Sequence, residues 1–329
     1  MQTIETRRRF LGLAGACGLA SLRTQPAYAE PPPETMTIRL SQVAGICVAP
    51  QFVAEGLLKL EGFTDVQYIE FLANPYPALA TGRFDLCMAF VAPFITQIDT
   101  DAPIVLLGGV HVGCFELFGT EQIRAIRDLK GKTVAVPEQD SPHYVFLAAL
   151  ATYVGLDPRR DINFVFYPAA KSMQLLADEK IDALMGFPPI PQELRARKIG
   201  HVIVNSGVDR PWSQYFCCIV GANHEFVRRH PIATKRALRA ILKAADVCAA
   251  DPERAARVAV GRGYQYDYAL QTMREIRYSQ WREYDPEDSV RFYALRLHEA
   301  RMIESSPKKI IAQGTDWRFF NELKRELKG

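Results

Sequence analysis

The sequence predicts an α/β protein of two lobes, with mainly parallel sheets flanked by helices and a helical C-terminal tail. Three observations lead there. From residue 37 to residue 187, short apolar runs rich in Val, Ile and Phe alternate with helical segments, and strands separated by helices form right-handed βαβ units that build parallel sheets. The chain of 329 residues exceeds what one compact core usually organises, so two lobes are expected. Beyond Ala222 the strand signals fade and amphipathic helices take over.

In order, residues 37–43 read as a strand, 48–60 as a helix ended by Gly62, and 66–71 as a second strand. Residues 77–81 form a short helix, and 86–91 and 104–110 are buried strands. A second run of the same kind follows Gly119: helix 123–129, strand 132–137, helix 141–154 stopped by Gly155, strand 162–167, helix 172–180 and strand 183–187. Residues 202–204 add a strand, and 214–220 lead out. The tail holds helices over 232–249, after Asp251-Pro252, and over 268–276, 287–300 and 316–327.

The first 29 residues have another character. Arg7, Arg8 and Arg9 precede Phe10 and Leu11, a short apolar run follows to about Leu22, and Ala27-Tyr28-Ala29 offers small residues for a signal peptidase. That is the layout of a twin-arginine export signal cleaved after Ala29. Residues 30–35, with three consecutive prolines, read as an extended leader. Cleavage removes four arginines and Glu5, which brings the net charge from +3 to zero. A neutral mature chain has no field to attract nucleic acid or anionic lipid. Apolar runs elsewhere are interrupted by charge before they reach the ~20 residues of a membrane helix. Cys47, Cys87, Cys114, Cys217, Cys218 and Cys248 remain. Their spacings match no common zinc pattern, so no metal or other cofactor is expected, and buried free thiols are the plain reading. Cys217 and Cys218 adjoin in a strand and should point to opposite faces.

One stretch of motifs carries a resemblance. Asp128-Leu129-Lys130-Gly131-Lys132-Thr133-Val134-Ala135-Val136 is followed by Ser141-Pro142-His143 opening a helix, Asp178-Glu179-Lys180-Ile181-Asp182-Ala183 entering a strand, and Glu225-Phe226 before His230-Pro231. In this order they resemble the solute-binding proteins of nitrate, sulfonate and taurine ABC importers, a group that includes pyrimidine-precursor binding proteins. The resemblance implies a periplasmic binding protein fold of the type II kind, with a small-molecule ligand in the cleft between lobes joined by two crossing strands, and a membrane permease as partner. The crossings fall at about 115–119 and 214–220. That division assigns residues 36–119 and 222–329 to the first lobe and 120–221 to the second. A monomer located in the periplasm is expected.

Ligands of open α/β sheets sit outside the carboxyl ends of the strands. This nominates Gln42, Gly45, Phe71, Asn74, Phe90, Pro93 and His111 from the first lobe, and Ser141, His143, Phe187 and Trp212 from the second and its exit. Core packing remains open as the alternative for Phe71, Phe90 and Phe187, as does an ordinary loop role for His111 and edge cover for Trp212. Ser141 is a favoured helix cap, and the helix start behind it is a seat for an acceptor group. The nominated loops hold no Lys or Arg, which favours a small organic molecule over an inorganic anion. Sequence elbows of hydrolases and metalloproteases and nucleotide loops are not found, so a non-enzymatic role is expected. Two rivals stay in view: a synthase of pyrimidine precursors, because Cys217-Cys218 resembles a cysteine-rich stretch of those enzymes, and a binding protein that signals to a membrane receptor.

Overall fold

A computed structural model describes residues 30–70 and 74–328. The export-signal residues Arg7, Arg8, Phe10, Leu11, Ala27 and Ala29 lie outside them, as does the nominated Phe71. The described strands are β1 (Thr37–Ser41), β2 (Asp65–Ile69), β3 (Leu86–Phe90), β4 (Ile104–Val112), β5 (Glu116–Gly119), β6 (Lys132–Val136), β7 (Ile162–Phe166), β8 (Ala183–Gly186), β9 (His201–Asn205) and β10 (Phe216–Asn223). They form two five-stranded sheets, ordered β2-β1-β3-β10-β4 and β7-β6-β8-β5-β9.

Each sheet is mixed, and the physical reason is the same in both. The strand that has just crossed from the other sheet runs against its neighbours: β10 pairs antiparallel with β3 and β4, and β5 with β8 and β9. The βαβ strands β1, β2 and β3, and likewise β6, β7 and β8, pair in parallel. Gln51 ties the first sheet together from a fully buried position: its amide donates to the Ser41 carbonyl at 2.6 Å and accepts from the Met88 N–H at 2.8 Å. A buried amide with both ends bonded escapes the desolvation cost that an orphan would carry.

The chain leaves the first sheet after Val112 and returns to it at Phe216. The two passages touch. Ser206 Oγ accepts from the N–H groups of Cys114 at 3.1 Å and Phe115 at 2.9 Å, and donates to the Phe115 carbonyl at 2.9 Å. Gly113 makes that approach possible, since a Cβ there would lie 2.3 Å from the Gly207 backbone and its φ of +48° disfavours side chains.

Several elements differ from the sequence reading. Helices Val91–Asp99, Ile190–Arg197 and Pro307–Gly314 were not expected. The first opens with five buried residues, Val91 to Ile95, directly after the apolar strand β3, so no polar residue marks where the strand ends and the helix begins. The helix expected over 123–129 is a single 3-10 turn, Ile126–Leu129. Asp128 accepts from the N–H groups of Arg124 and Ala125, which holds the preceding residues out of a helix. In the tail, helix Pro231–Ala250 packs on Ala49–Val53, while Pro286–Glu299 lies against both Val91–Asp99 and Pro142–Tyr153. The tail therefore touches helices of both sheets.

Candidate ligand cavity

Two hollows flank the crossings. The larger, about 970 Å³, is lined by Glu116, Gln192, Arg195, Glu275 and Arg277 among others. Its charges are largely spent on one another. Arg195 pairs with both oxygens of Glu116 and reaches Glu275 at 2.8 and 2.9 Å, Gln192 donates to Glu275 at 2.9 Å, and Arg277 donates to the Gly207 carbonyl.

The smaller hollow, about 240 Å³, lies where the carboxyl ends of strands from both sheets meet. Its wall from the first sheet comes from Val43, Ala44, Cys47 and Val48 after β1, Asn74 to Tyr76 after β2, Ala89 and Phe90 at the end of β3, and Cys218 of β10. The opposite wall is Pro137, Glu138, Ser141, Pro142 and His143 after β6 and Phe187 after β8, with Cys114 and Phe115 of the crossing between. The lining is largely apolar and aromatic, and no Lys or Arg is among its described residues. Binding cavities for small organic molecules have this character.

The two walls meet directly. The Ile46 N–H donates to the Pro188 carbonyl across the cleft at 3.2 Å. Gly45 abuts the Phe187 ring, where a Cβ would stand 3.0 Å from Cε2, and it holds a φ of +139° that side chains rarely adopt. Its N–H donates to the Tyr264 hydroxyl at 2.6 Å. This link joins residues 219 positions apart and has no local sequence signal.

His143 stacks on Phe187 with ring centroids 4.6 Å apart and stands edge-on to Phe115. Its Nδ1 is buried without a partner, and burial pushes its pKa down to about 3. The imidazole is neutral at ordinary pH, a hydrogen-bonding handle without charge. An unfolded chain takes up a proton here near pH 6.5 whereas the folded one does so only near 3. Stability should therefore fall as the pH drops from about 6.5 toward about 3, by up to about 1.4 kcal/mol per unit. His143→Gln should flatten that part of a denaturation-against-pH curve; an unchanged curve would show that His143 does not carry it.

Ser141 caps helix Pro142–Tyr153. Its hydroxyl accepts from the Tyr144 N–H at 3.3 Å and donates to the Glu138 carbonyl at 2.8 Å. Ser141→Ala should cost roughly 1 kcal/mol of folding stability by chemical denaturation. Asn74 is likewise a cap, accepting from the Tyr76 N–H at 3.0 Å.

The structure thus brings Asn74, Phe90, Ser141, His143 and Phe187 onto one cavity and sets Gly45 at its closure. Three nominees stand elsewhere. Gln42 is not on the cavity wall; its amide accepts from Arg262 at 3.2 Å and donates to Glu70 at 3.1 Å. Pro93 faces a separate surface hollow, because the helix beginning at Val91 turns it away. Trp212 is buried between Phe146, Tyr153 and Phe292, so the indole packs the return passage.

His111 lies beneath the cavity among thiols. Cys47, His111, Cys114 and Cys218 place their donor atoms within 4.8 Å of one another, all buried. The spacings along the chain match no common zinc pattern, since Cys47 and Cys218 lie far in sequence from the neighbouring pair His111 and Cys114. Cys217 joins this group through a 3.3 Å contact with Cys114. Opposite faces were expected for Cys217 and Cys218, but the pairing of β10 with β4 shifts register on either side of Cys218, and such a bulge re-aims side chains. Contacts from Cys114, Cys217 and Cys47 hold the Cys218 thiol well below its ordinary pKa. Burial pushes Cys114 and Cys217 up.

Two α/β sheets joined by two crossings, with a cavity at the strand ends between them, define a two-lobed periplasmic binding protein fold. The chain belongs to the NMT1-like family, whose model matches residues 31–260. The nitrate-binding protein NrtA of Synechocystis is similar in structure, with a TM-score of 0.71 at 15% identity over 91% of this chain and 90% of that one. The sulfonate-binding protein SsuA of Methylobacillus flagellatus gives 0.67 at 18% identity over 89% and 94%. The desulfurization enzyme DSZB shares the fold at 0.59 and 16% identity, over 88% and 99%. A Brucella abortus protein, named only for binding, is 23% identical over 67% of this chain and 69% of its own length.

Proposed function

We propose that this protein is the solute-binding component of an ABC-type importer and captures a small, flat organic molecule without full negative charge. The cavity between the two sheets carries this reading. Its aromatic wall of Tyr76, Phe90, Phe115 and Phe187 suits the faces of a single ring, and the neutral His143 edge suits a polar group on it. Nitrate and sulfonate carry a charge that the described lining would not neutralise, and Glu138 at the rim opposes it further. Pyrimidine-like and small aromatic molecules fit that description. The lobes follow the crossings, and the boundaries expected after residues 119 and 221 shift to Val112 and Phe216, because β5 pairs within the second sheet and β10 within the first.

The test is a thermal-shift panel of pyrimidines, neutral aromatic amides, taurine, alkanesulfonates and nitrate. A ligand at 100 times its dissociation constant adds about 2.7 kcal/mol to stability. Stabilisation by the ring compounds alone is expected. Nitrate or sulfonates shifting the melt more than any ring compound would overturn the assignment of the solute, and turnover of a stabilising compound would favour an enzyme.

Export by the twin-arginine route to the periplasm completes the proposal, resting on Arg7, Arg8 and the run that follows. Arg7→Lys with Arg8→Lys should leave uncleaved precursor in the cytoplasm on an immunoblot of cell fractions. Normal periplasmic recovery of the double variant would remove this route.

A further inference from the structure

We infer that Cys47, His111, Cys114 and Cys218 form a tetrahedral site for one thiophilic metal ion, zinc(II) in the first instance. The donor atoms already lie within 4.8 Å of one another. Zinc bonds of about 2.3 Å to sulfur and about 2.0 Å to nitrogen set tetrahedral ligands roughly 3.5–3.8 Å apart, so each donor needs to move inward by less than about 1 Å.

The histidine is prepared for the role. His111 is fully buried, and its Nδ1 is 3.2 Å from the Val112 carbonyl. A carbonyl only accepts, so Nδ1 carries the hydrogen and the bare lone pair is on Nε2. That Nε2 is buried and has no hydrogen-bond partner. A buried acceptor left unpaired costs free energy, and a metal ion at the cluster would satisfy it. Metal-binding histidines commonly donate their second ring nitrogen to such a carbonyl. Cross-strand pairing of His111 with Cys218 fixes two donors on the sheet. The Tyr278 hydroxyl, donating to the Cys47 carbonyl at 3.0 Å, holds the backbone of a third.

The donor set selects the ion. Three sulfurs and an imidazole are soft ligands that favour zinc over magnesium or calcium, and four protein donors close the coordination sphere as structural sites do. On binding, the cysteines that are protonated release their protons to solvent, and no electron moves. Cys114 belongs to the first crossing and the other donors to the first-sheet side. An ion here would pin the crossing to that sheet and set the floor of the solute cavity, which Cys47, Cys114 and Cys218 share. The site itself requires no assumption about the solute.

The experiment uses purified protein, reduced and stripped with a chelator under inert gas, then dialysed against zinc and counted by mass spectrometry. One zinc per chain is expected, and cobalt(II) should give a thiolate-to-cobalt charge-transfer band with the strong visible bands of tetrahedral coordination. Cys218→Ser should weaken zinc binding at least about a hundredfold. Cys248→Ser, a buried cysteine outside the cluster, should leave it unchanged, with circular dichroism checking the fold of each variant. Folded wild type that takes up no zinc, a cobalt spectrum without thiolate bands, or full affinity in Cys218→Ser would each overturn the site. So would a Cys114–Cys217 disulfide in protein from the periplasm that, after reduction, still binds no metal. Should Cys218→Ser not fold, the wild-type cobalt spectrum decides alone.

Discussion

Replacing Arg195 with methionine should lower folding stability by about 3–5 kcal/mol, because it strands a buried carboxylate. Glu116 is only 5% exposed, and its partners are the two contacts from Arg195. Burial already raises the Glu116 pKa, Arg195 lowers it, and Glu275 and Asp209 add to the rise. Without Arg195, protonation becomes the less costly state. The deficit should therefore shrink as the pH is lowered toward about 4, where a carboxyl takes up its proton more readily. Urea denaturation of both proteins at neutral and acid pH measures this, and a loss below about 1 kcal/mol at neutral pH would show the pair to be solvent-screened. Arg195 also joins the helix Ile190–Arg197 to Glu275 at the end of Tyr266–Glu275, so the variant should loosen the second sheet's attachment to the tail.

Replacing Gly45 with valine should weaken solute binding by at least about thirtyfold, on the order of 2 kcal/mol. Two causes add. A φ of +139° strains any side-chain-bearing residue, and the new Cβ would press on the Phe187 ring from 3.0 Å. That contact is where the walls meet, so relief requires the lobes to part and the Ile46–Pro188 hydrogen bond to stretch. Closure about a hinge is how two-lobed proteins bury a ligand. Calorimetry with a compound found by the panel gives the affinity, and small-angle scattering the degree of closure. Wild-type affinity in Gly45→Val would place the solute away from this junction.

Much of this molecule is legible in its order of residues. Alternating strands and helices, punctuated by Gly62, Gly155 and the Asp-Pro pairs, followed local rules of periodicity and capping, and elements such as Pro142–Tyr153 and Pro231–Ala250 are found within a residue or two of expectation. Strand ends named part of the cavity wall, Asn74, Phe90, Ser141, His143 and Phe187, because a parallel sheet sends its loops to one edge. The failures share a cause. Helix Val91–Asp99 continues the apolar run of β3 without a break, and only the pairing of β3 shows where the strand ends. Trp212 reads as a ligand aromatic until Phe146, Tyr153 and Phe292 are seen around it. Gln42 reads as a cleft residue until Arg262, stacked between Phe52 and Tyr68, is seen to hold it.

By itself, then, the sequence determined the class of fold, the two lobes' worth of alternating elements and the absence of cationic groups from the nominated loops, since these depend on neighbours within a few turns of chain. The tertiary structure decided the rest. It alone placed Tyr264 on Gly45 and Arg195 between Glu116 and Glu275. It alone drew Cys47, His111, Cys114 and Cys218 together. Apart from His111 and Cys114, three positions apart, those contacts join residues tens to hundreds of positions apart, and strand order, a register shift in β10 and the meeting of two crossings determine them, none of which has a local sequence signal.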